Sequence, residues 1–68
     1  MNNIKMIREE KGISQRKLSA QAGVSQPYLH DLEADKRGAR PETLERIAAA
    51  LGVSVNALTG NENAGKPA

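Results

Sequence analysis

Ile13-Ser14-Gln15-Arg16-Lys17-Leu18-Ser19-Ala20-Gln21-Ala22-Gly23-Val24-Ser25-Gln26 is the stretch whose reading decides the fold. Ser14 is suited to cap a helix by accepting a backbone N–H, and Leu18 and Ala22 share one face of that helix at i, i+4 spacing. This predicts a helix over about Gln15 to Ala22, stopped by Gly23, a residue that tolerates the left-handed backbone ending a helix. Only Val24 and Ser25 intervene before the next helical pattern. Ser25 is a second cap, and Pro27 falls in the first turn, where its missing N–H leaves no bond unmade. Leu29 and Leu32 form the inner face of this third helix, which fades near Ala34.

Working outward, Ile4 and Ile7 predict a first helix from about Asn3 to Lys11, closed by Gly12, with Ile13 as an anchor beyond it. After a basic loop, Asp35 to Arg40, Pro41 starts a fourth helix that buries Leu44, Ile47, Ala48 and Leu51 and ends at Gly52. Ser54 caps a last short helix carrying Val55 and Leu58, closed by Gly60. No segment sustains a strand's period of two, so the expected class is all-α. The expected domain is 1–60. Residues 61–68 carry no apolar periodicity and are expected to be a disordered tail.

Composition sets limits. The chain has 68 residues, and of its 26 apolar ones 10 are alanine and one, Tyr28, is aromatic. A chain this short buries about 60% of its unfolded surface and has a stability of about 3–5 kcal/mol without staples. It has no cysteine, which rules out a disulfide or a thiolate zinc site. The longest uncharged run, Ile47 to Asn61, is 15 residues and too polar to span a bilayer. Met1-Asn2-Asn3-Ile4-Lys5 lacks a secretory apolar core, so the expected location is cytoplasmic.

Lys plus Arg number 10 against 8 Asp plus Glu, a net charge of only +2. The distribution says more than the sum. Lys5, Arg8, Lys11, Arg16 and Lys17 face only Glu9 and Glu10 in residues 1–17, and Lys36, Arg37 and Arg40 stand in residues 36–40 without an acid. Either cluster is equally readable as a solvated face.

Two helices joined through Gly23-Val24-Ser25 make a helix–turn–helix pattern, motif about 15–34, with Val24 sealing the corner against Leu18 and Leu29. With Leu29 and Leu32 inward, Pro27, His30, Asp31 and Ala34 point outward, flanked by Gln26 and Tyr28. A protruding helix of about 10–12 Å fits a DNA major groove, although a purely structural corner would use the same spacing.

The quoted stretch, with Leu29, Leu32 and Glu33, then Pro41, Leu44, Ile47, Ala48, Leu51, Gly52-Val53-Ser54 and Leu58, resembles the Cro/phage-repressor (XRE-like) helix–turn–helix DNA-binding family. The similarity runs from Ile4 to Leu58. Two residues depart from the pattern: Ser19, where the family usually has alanine, and Asp31. The resemblance implies a compact five-helix bundle of the lambda-repressor-like type, with the helix from Ser25 to Ala34 as the recognition helix.

It also implies a contact set. Gln26 takes the base-reading position, where glutamine holds adenine N6 and N7. Gln15 takes a phosphate position at a helix N-terminus, with Arg16 and Ser25 nearby. Lys36, Arg37 and Arg40 would rest on the DNA backbone, positioning without reading sequence. Tyr28 either meets phosphate or thymine or only covers the helix junction. His30 meets DNA backbone or solvent. Asp31 either accepts from cytosine, rejects wrong sites, or pairs with a basic side chain such as Arg37. Arg8 and Glu33 are the expected ion pair orienting the recognition helix. For each residue the plain alternative is an ordinary surface or helix-start side chain.

The inventory excludes an enzyme. The one histidine has no orienting partners and no second ligand for a metal, Glu9 and Glu10 diverge, and the serines Ser14, Ser25 and Ser54 are caps. No metal or cofactor is expected. The expected function is a sequence-specific transcriptional regulator, a repressor, bound to double-stranded DNA as a homodimer on a pseudo-palindrome, with Val53, Val55 and Leu58 either as dimer contacts or simply closing the domain's own core. The alternatives are an antitoxin with a protein partner, a restriction–modification controller, or a protein-interaction module that has lost DNA binding.

Overall fold

Three serines start three helices. Ser14 Oγ accepts from Lys17 N at 3.0 Å, Ser25 Oγ from Tyr28 N at 3.2 Å and Ser54 Oγ from Ala57 N at 3.1 Å. Each bond satisfies an amide that the first helical turn would otherwise leave unpaired, a contribution of about 1 kcal/mol apiece. The computed structural model describes residues 2–60, and the expected tail, 61–68, lies outside the described residues. The helices are α1 (Ile4–Glu10), α2 (Gln15–Ala22), α3 (Gln26–Glu33), α4 (Pro41–Leu51) and α5 (Val55–Thr59). All five were expected, with ends shifted by a residue at most where Asn3 and Lys11 serve as caps of α1.

α2 packs on α3 and α4, α4 on α5, and α1 on α3 and α5. The core between them is Ile4, Ile7, Leu18, Ala22, Leu29, Leu32, Ile47, Ala48, Leu51 and Leu58. Leu18, Leu29, Ile47 and Leu58 are wholly enclosed, each burial contributing about 1.5–3 kcal/mol. Leu44, expected inside, is half-buried and packs on the edge of this cluster, as do Ile13 and Val24. Ser19 is buried, and its hydroxyl donates to Arg16 O at 2.9 Å, so the departure from alanine is absorbed inside α2 itself.

Leu58 requires a correction. It was named as a dimer contact, with closure of the domain's own core as the alternative, and it is fully enclosed in that core with no surface to offer. Its apolar side chain joins the core, and backbone bonds from before α1 hold α5 in place. Asn3 N donates to Leu58 O at 2.6 Å and Asn3 Nδ2 to Ala57 O at 3.1 Å, drawing α5 down onto α1. Val53 and Val55 keep part of their surface exposed.

The corner between α2 and α3 turns on Gly23, whose φ of 73° is left-handed, while the space where a Cβ would stand is open. Gly38 also has open space there, but its backbone is not left-handed. Substituting alanine therefore separates backbone from packing. We predict that Gly23→Ala destabilises the fold by about 1 kcal/mol, whereas Gly38→Ala stabilises it by about 0.4–1 kcal/mol. Thermal melts followed by circular dichroism check this, with shifts of opposite sign expected and equal shifts ruling out the conformational account.

Candidate nucleic-acid interface

The outer side of α3 begins with the Ser25 cap. Gln26, Pro27, His30 and Ala34 are exposed, and Tyr28 and Asp31 are half-buried. Ser25 spends its side-chain oxygen on the cap, so any contact it makes to a ligand is additional to that bond. Arg16 and Lys17 are exposed in the first turn of α2, and Lys36, Arg37 and Arg40 are exposed in the loop after α3.

That loop doubles back along α3. Lys36 N donates to Asp31 O at 2.9 Å and Asp35 N to Leu32 O at 3.2 Å, the paired bonds of a Schellman ending, with Asp35 left-handed at φ 59°. Arg37 is thereby returned to Tyr28, its guanidinium carbon 5.4 Å from the ring centroid, within the range of a cation–π contact. Tyr28 accordingly both packs on the edge of the core and carries a basic side chain. Pairing of Asp31 with Arg37, one of the sequence alternatives, is not what forms. Asp31 Oδ1 lies 3.7 Å from His30 Nδ1 instead, because the loop sends Arg37 to the ring. At that distance, between two partly exposed neighbours, the His30–Asp31 contact contributes little.

Behind the outer face, Glu33 sits almost entirely buried, its side chain 3% exposed, against an Arg8 side chain 11% exposed. Arg8 Nε donates to Glu33 Oε2 at 2.7 Å and Arg8 Nη2 to Glu33 Oε1 at 3.2 Å, a two-pronged pairing. Gln15 Nε2 donates to Glu33 Oε1 at 3.0 Å, and Arg8 Nη1 donates to Ile13 O at 2.8 Å. One cluster thus joins α1, the segment before α2, the start of α2 and the end of α3. Among the described residues, no buried side-chain polar atom lacks a partner. The hydrogen bond to Glu33 raises the Arg8 pKa, with burial opposing it and the Glu33 and Glu9 charges adding to it. A raised pKa on a cation means its stabilisation is fully present below the unfolded-state value and lost only as pH rises through the higher folded value. On the arginine side, the pair is therefore insensitive to pH across the neutral range.

The arginine–glutamate pair was legible in the sequence, but the inward turn of Gln15 was not. Helix-start position says nothing about which way an amide bends. Sequence reading also missed Asn2 and Asn3. Asn2 Oδ1 accepts from Ile4 N at 3.1 Å, and its Nδ2 donates to Leu32 O at 2.7 Å and to Asp35 Oδ1 at 2.9 Å. Asparagine before a helix was the available signal for the cap alone, since its reach to α3 spans 30 residues of sequence.

Arg8→Met leaves the buried Glu33 charge without its main partner, and we predict a loss of about 3–5 kcal/mol. That would unfold most of a domain whose whole stability is about 3–5 kcal/mol. Replacing both partners, Arg8→Met with Glu33→Leu, should recover most of the loss. Urea titration of the single and double variants checks this, and a single variant as stable as the parent would show that the pair contributes nothing.

The helix-turn-helix family model matches residues 4–58. The immunity repressor protein of Bacillus phage phi105 is 42% identical over 59 residues, covering 87% of this chain and 41% of that protein. An HTH-type transcriptional regulator of Sinorhizobium fredii, itself uncharacterized, is 43% identical over 53 residues, 78% of this chain and 69% of its own length. This chain thus spans about two-fifths of the phage repressor's length. The crystal structure of a hypothetical transcription factor from Neisseria superposes with a TM-score of 0.77 at 32% identity, covering 90% of this chain and 71% of that one.

Proposed function

The chain belongs to the helix-turn-helix family, and from that premise we propose that it is a sequence-specific DNA-binding transcriptional regulator, acting as a repressor from a pseudo-palindromic operator. The observation that carries this reading is the seating of α3. Its back is clamped by Arg8, Gln15 and Glu33, while Gln26, Pro27 and His30 stay exposed and the basic loop flanks them. A helix meant to read base edges has to be held in one orientation without spending its outer side chains.

In this reading α3 enters the major groove and Gln26 meets an adenine through N6 and N7, a pairing worth about 1–3 kcal/mol of discrimination. Arg16, Lys36, Arg37 and Arg40 meet phosphates and set the register. Gln15 donates one amide N–H to Glu33, which leaves its second N–H for a phosphate. Asp31 stands where a carboxylate repels phosphate, so its role is to accept from cytosine or to reject other sites. A single α3 covers few base pairs. Two copies related by a two-fold axis would read half-sites about 34–36 Å apart, with Val53 and Val55 as the apolar surface between them. Among the described residues, no helix is long and apolar enough to cross a membrane; the reading places the protein in the cytoplasm on the nucleoid.

Selection from a randomised duplex library should enrich a pseudo-palindrome. Affinity for the selected duplex should then fall by about three powers of ten between about 50 and 200 mM salt if about six phosphates are contacted. Gln26→Ala should remove the preference at one base pair of each half-site. No enrichment and no salt-dependent binding would sink this proposal. For the dimer, Val55→Asp should shift sedimentation toward monomer and weaken operator binding; unchanged dimerisation would move the self-contact elsewhere.

A further inference from the structure

We infer that Asn2 and Asp35 form a latch that positions the basic turn for its phosphate contact, so that the start of the chain governs how firmly the segment after α3 grips DNA. The inference rests on the DNA-binding reading above and deepens it by naming positioning residues. The Asn2 side chain uses both ends of its amide. Its oxygen accepts from Ile4 N and so is fixed to the first turn of α1, while its nitrogen donates to Leu32 O and Asp35 Oδ1. Asp35 is the residue at which the chain leaves α3 in a left-handed conformation, and the next two residues are Lys36 and Arg37. Lys36 N is held by Asp31 O, and Arg37 rests over Tyr28.

The direction of the turn is thus set at two points. One is the backbone ending of α3, and the other is a side-chain bond to a residue 33 positions earlier. Without the second, the turn keeps its backbone bonds, but nothing on its far side holds Asp35 to α1. Arg37 would then share its time between the ring and solvent, and ordering it on a phosphate would cost entropy that the latch has already removed. Asp35 brings its own negative charge close to the basic turn; its left-handed backbone suits aspartate or asparagine, and its side-chain oxygen is the acceptor that Asn2 uses.

Three variants separate the latch from charge and from turn geometry. Asp35→Asn and Asp35→Gly both remove the charge, and both residues tolerate the left-handed backbone. Only asparagine keeps an oxygen for Asn2 Nδ2; Asn2→Ala removes the donor from the other side. Two readouts are used. Tyr28 is the only tyrosine, and the chain has no phenylalanine or tryptophan, so the ring-current shift of the Arg37 side-chain protons reports its seat without DNA. Affinity for the selected duplex, and for a 20-base-pair duplex of unrelated sequence at low salt, reports the grip.

The expected result is that Asp35→Asn keeps the Arg37 shift while Asp35→Gly and Asn2→Ala reduce it. Asp35→Asn should bind both duplexes about three- to ten-fold more tightly than Asp35→Gly, a gap that disappears in the Asn2→Ala background. The salt dependence of Asp35→Gly should fall by about one released ion. Helicity by circular dichroism verifies that each variant is folded, and Asp35→Gly alone decides the matter if Asn2→Ala is not. An Arg37 shift that is the same in Asn and Gly variants overturns the latch, as does a shift that changes with no difference in duplex affinity. A parent protein that binds neither duplex is a different failure, removing the DNA-binding reading and the inference with it.

Discussion

Glu33 accepts three hydrogen bonds in a position where water scarcely reaches it, two from Arg8 and one from Gln15. The rest of the molecule depends on that carboxylate being satisfied. A buried charge is tolerable only when its lone pairs are matched, and here the matching donors come from α1 and α2, not from α3 itself. Arg8 in turn donates to Ile13 O, which fixes the segment leading into α2. The cluster therefore decides the angle at which α3 leaves the body, a quantity that apolar packing specifies only loosely in so small a core.

That core is aliphatic throughout. Leucine, isoleucine and alanine fill it, and the one aromatic residue lies at its edge. Such side chains bury area well but interlock with little directionality, so a few polar contacts carry the specification. The Asn3 bonds to Ala57 and Leu58 close the bundle at one end, the Arg8–Glu33 cluster holds its middle, and Asn2 reaches the turn after α3. All three involve residues near the start of the chain. The amino-terminal segment acts as the tie between elements that are far apart in sequence, and this explains how five short helices, none longer than 11 residues, hold together.

The charge arrangement follows from the same division of labour. Most of the cations are exposed, while Arg8 is inside with its partner. With Arg8 and Glu33 cancelling internally, the rest of the chain still carries a net +2, and Arg16, Lys17, Lys36, Arg37 and Arg40 all remain on the surface. Exposed cations near α3 attract a polyanion without deciding its sequence. In the proposed reading, discrimination comes from the few uncharged polar groups that the helix presents, foremost Gln26.

Much of this was settled by local chemistry. Serines two residues past a glycine or just after an apolar anchor announce helix starts, glycines at 23, 52 and 60 announce ends, and the i, i+4 pairing of Leu18 with Ala22 marks a buried face. Those signals act over a turn or less, so they survive being read along a line, and with them came the five helices, the core face of α3 and the corner between α2 and α3. What needed three dimensions were the contacts between residues far apart: Gln15 turned toward Glu33, Arg37 carried back onto Tyr28 and away from Asp31, Asn3 bonded to the backbone of Leu58, and Asn2 bonded to the far end of α3. The polar side chains among these had several satisfactory partners in principle, and the choice was made by which groups the packed helices brought within reach. Local pattern determines which elements exist, because propensity and capping are short-ranged; only packing determines how a polar side chain is spent, because distance in space is set by the whole fold.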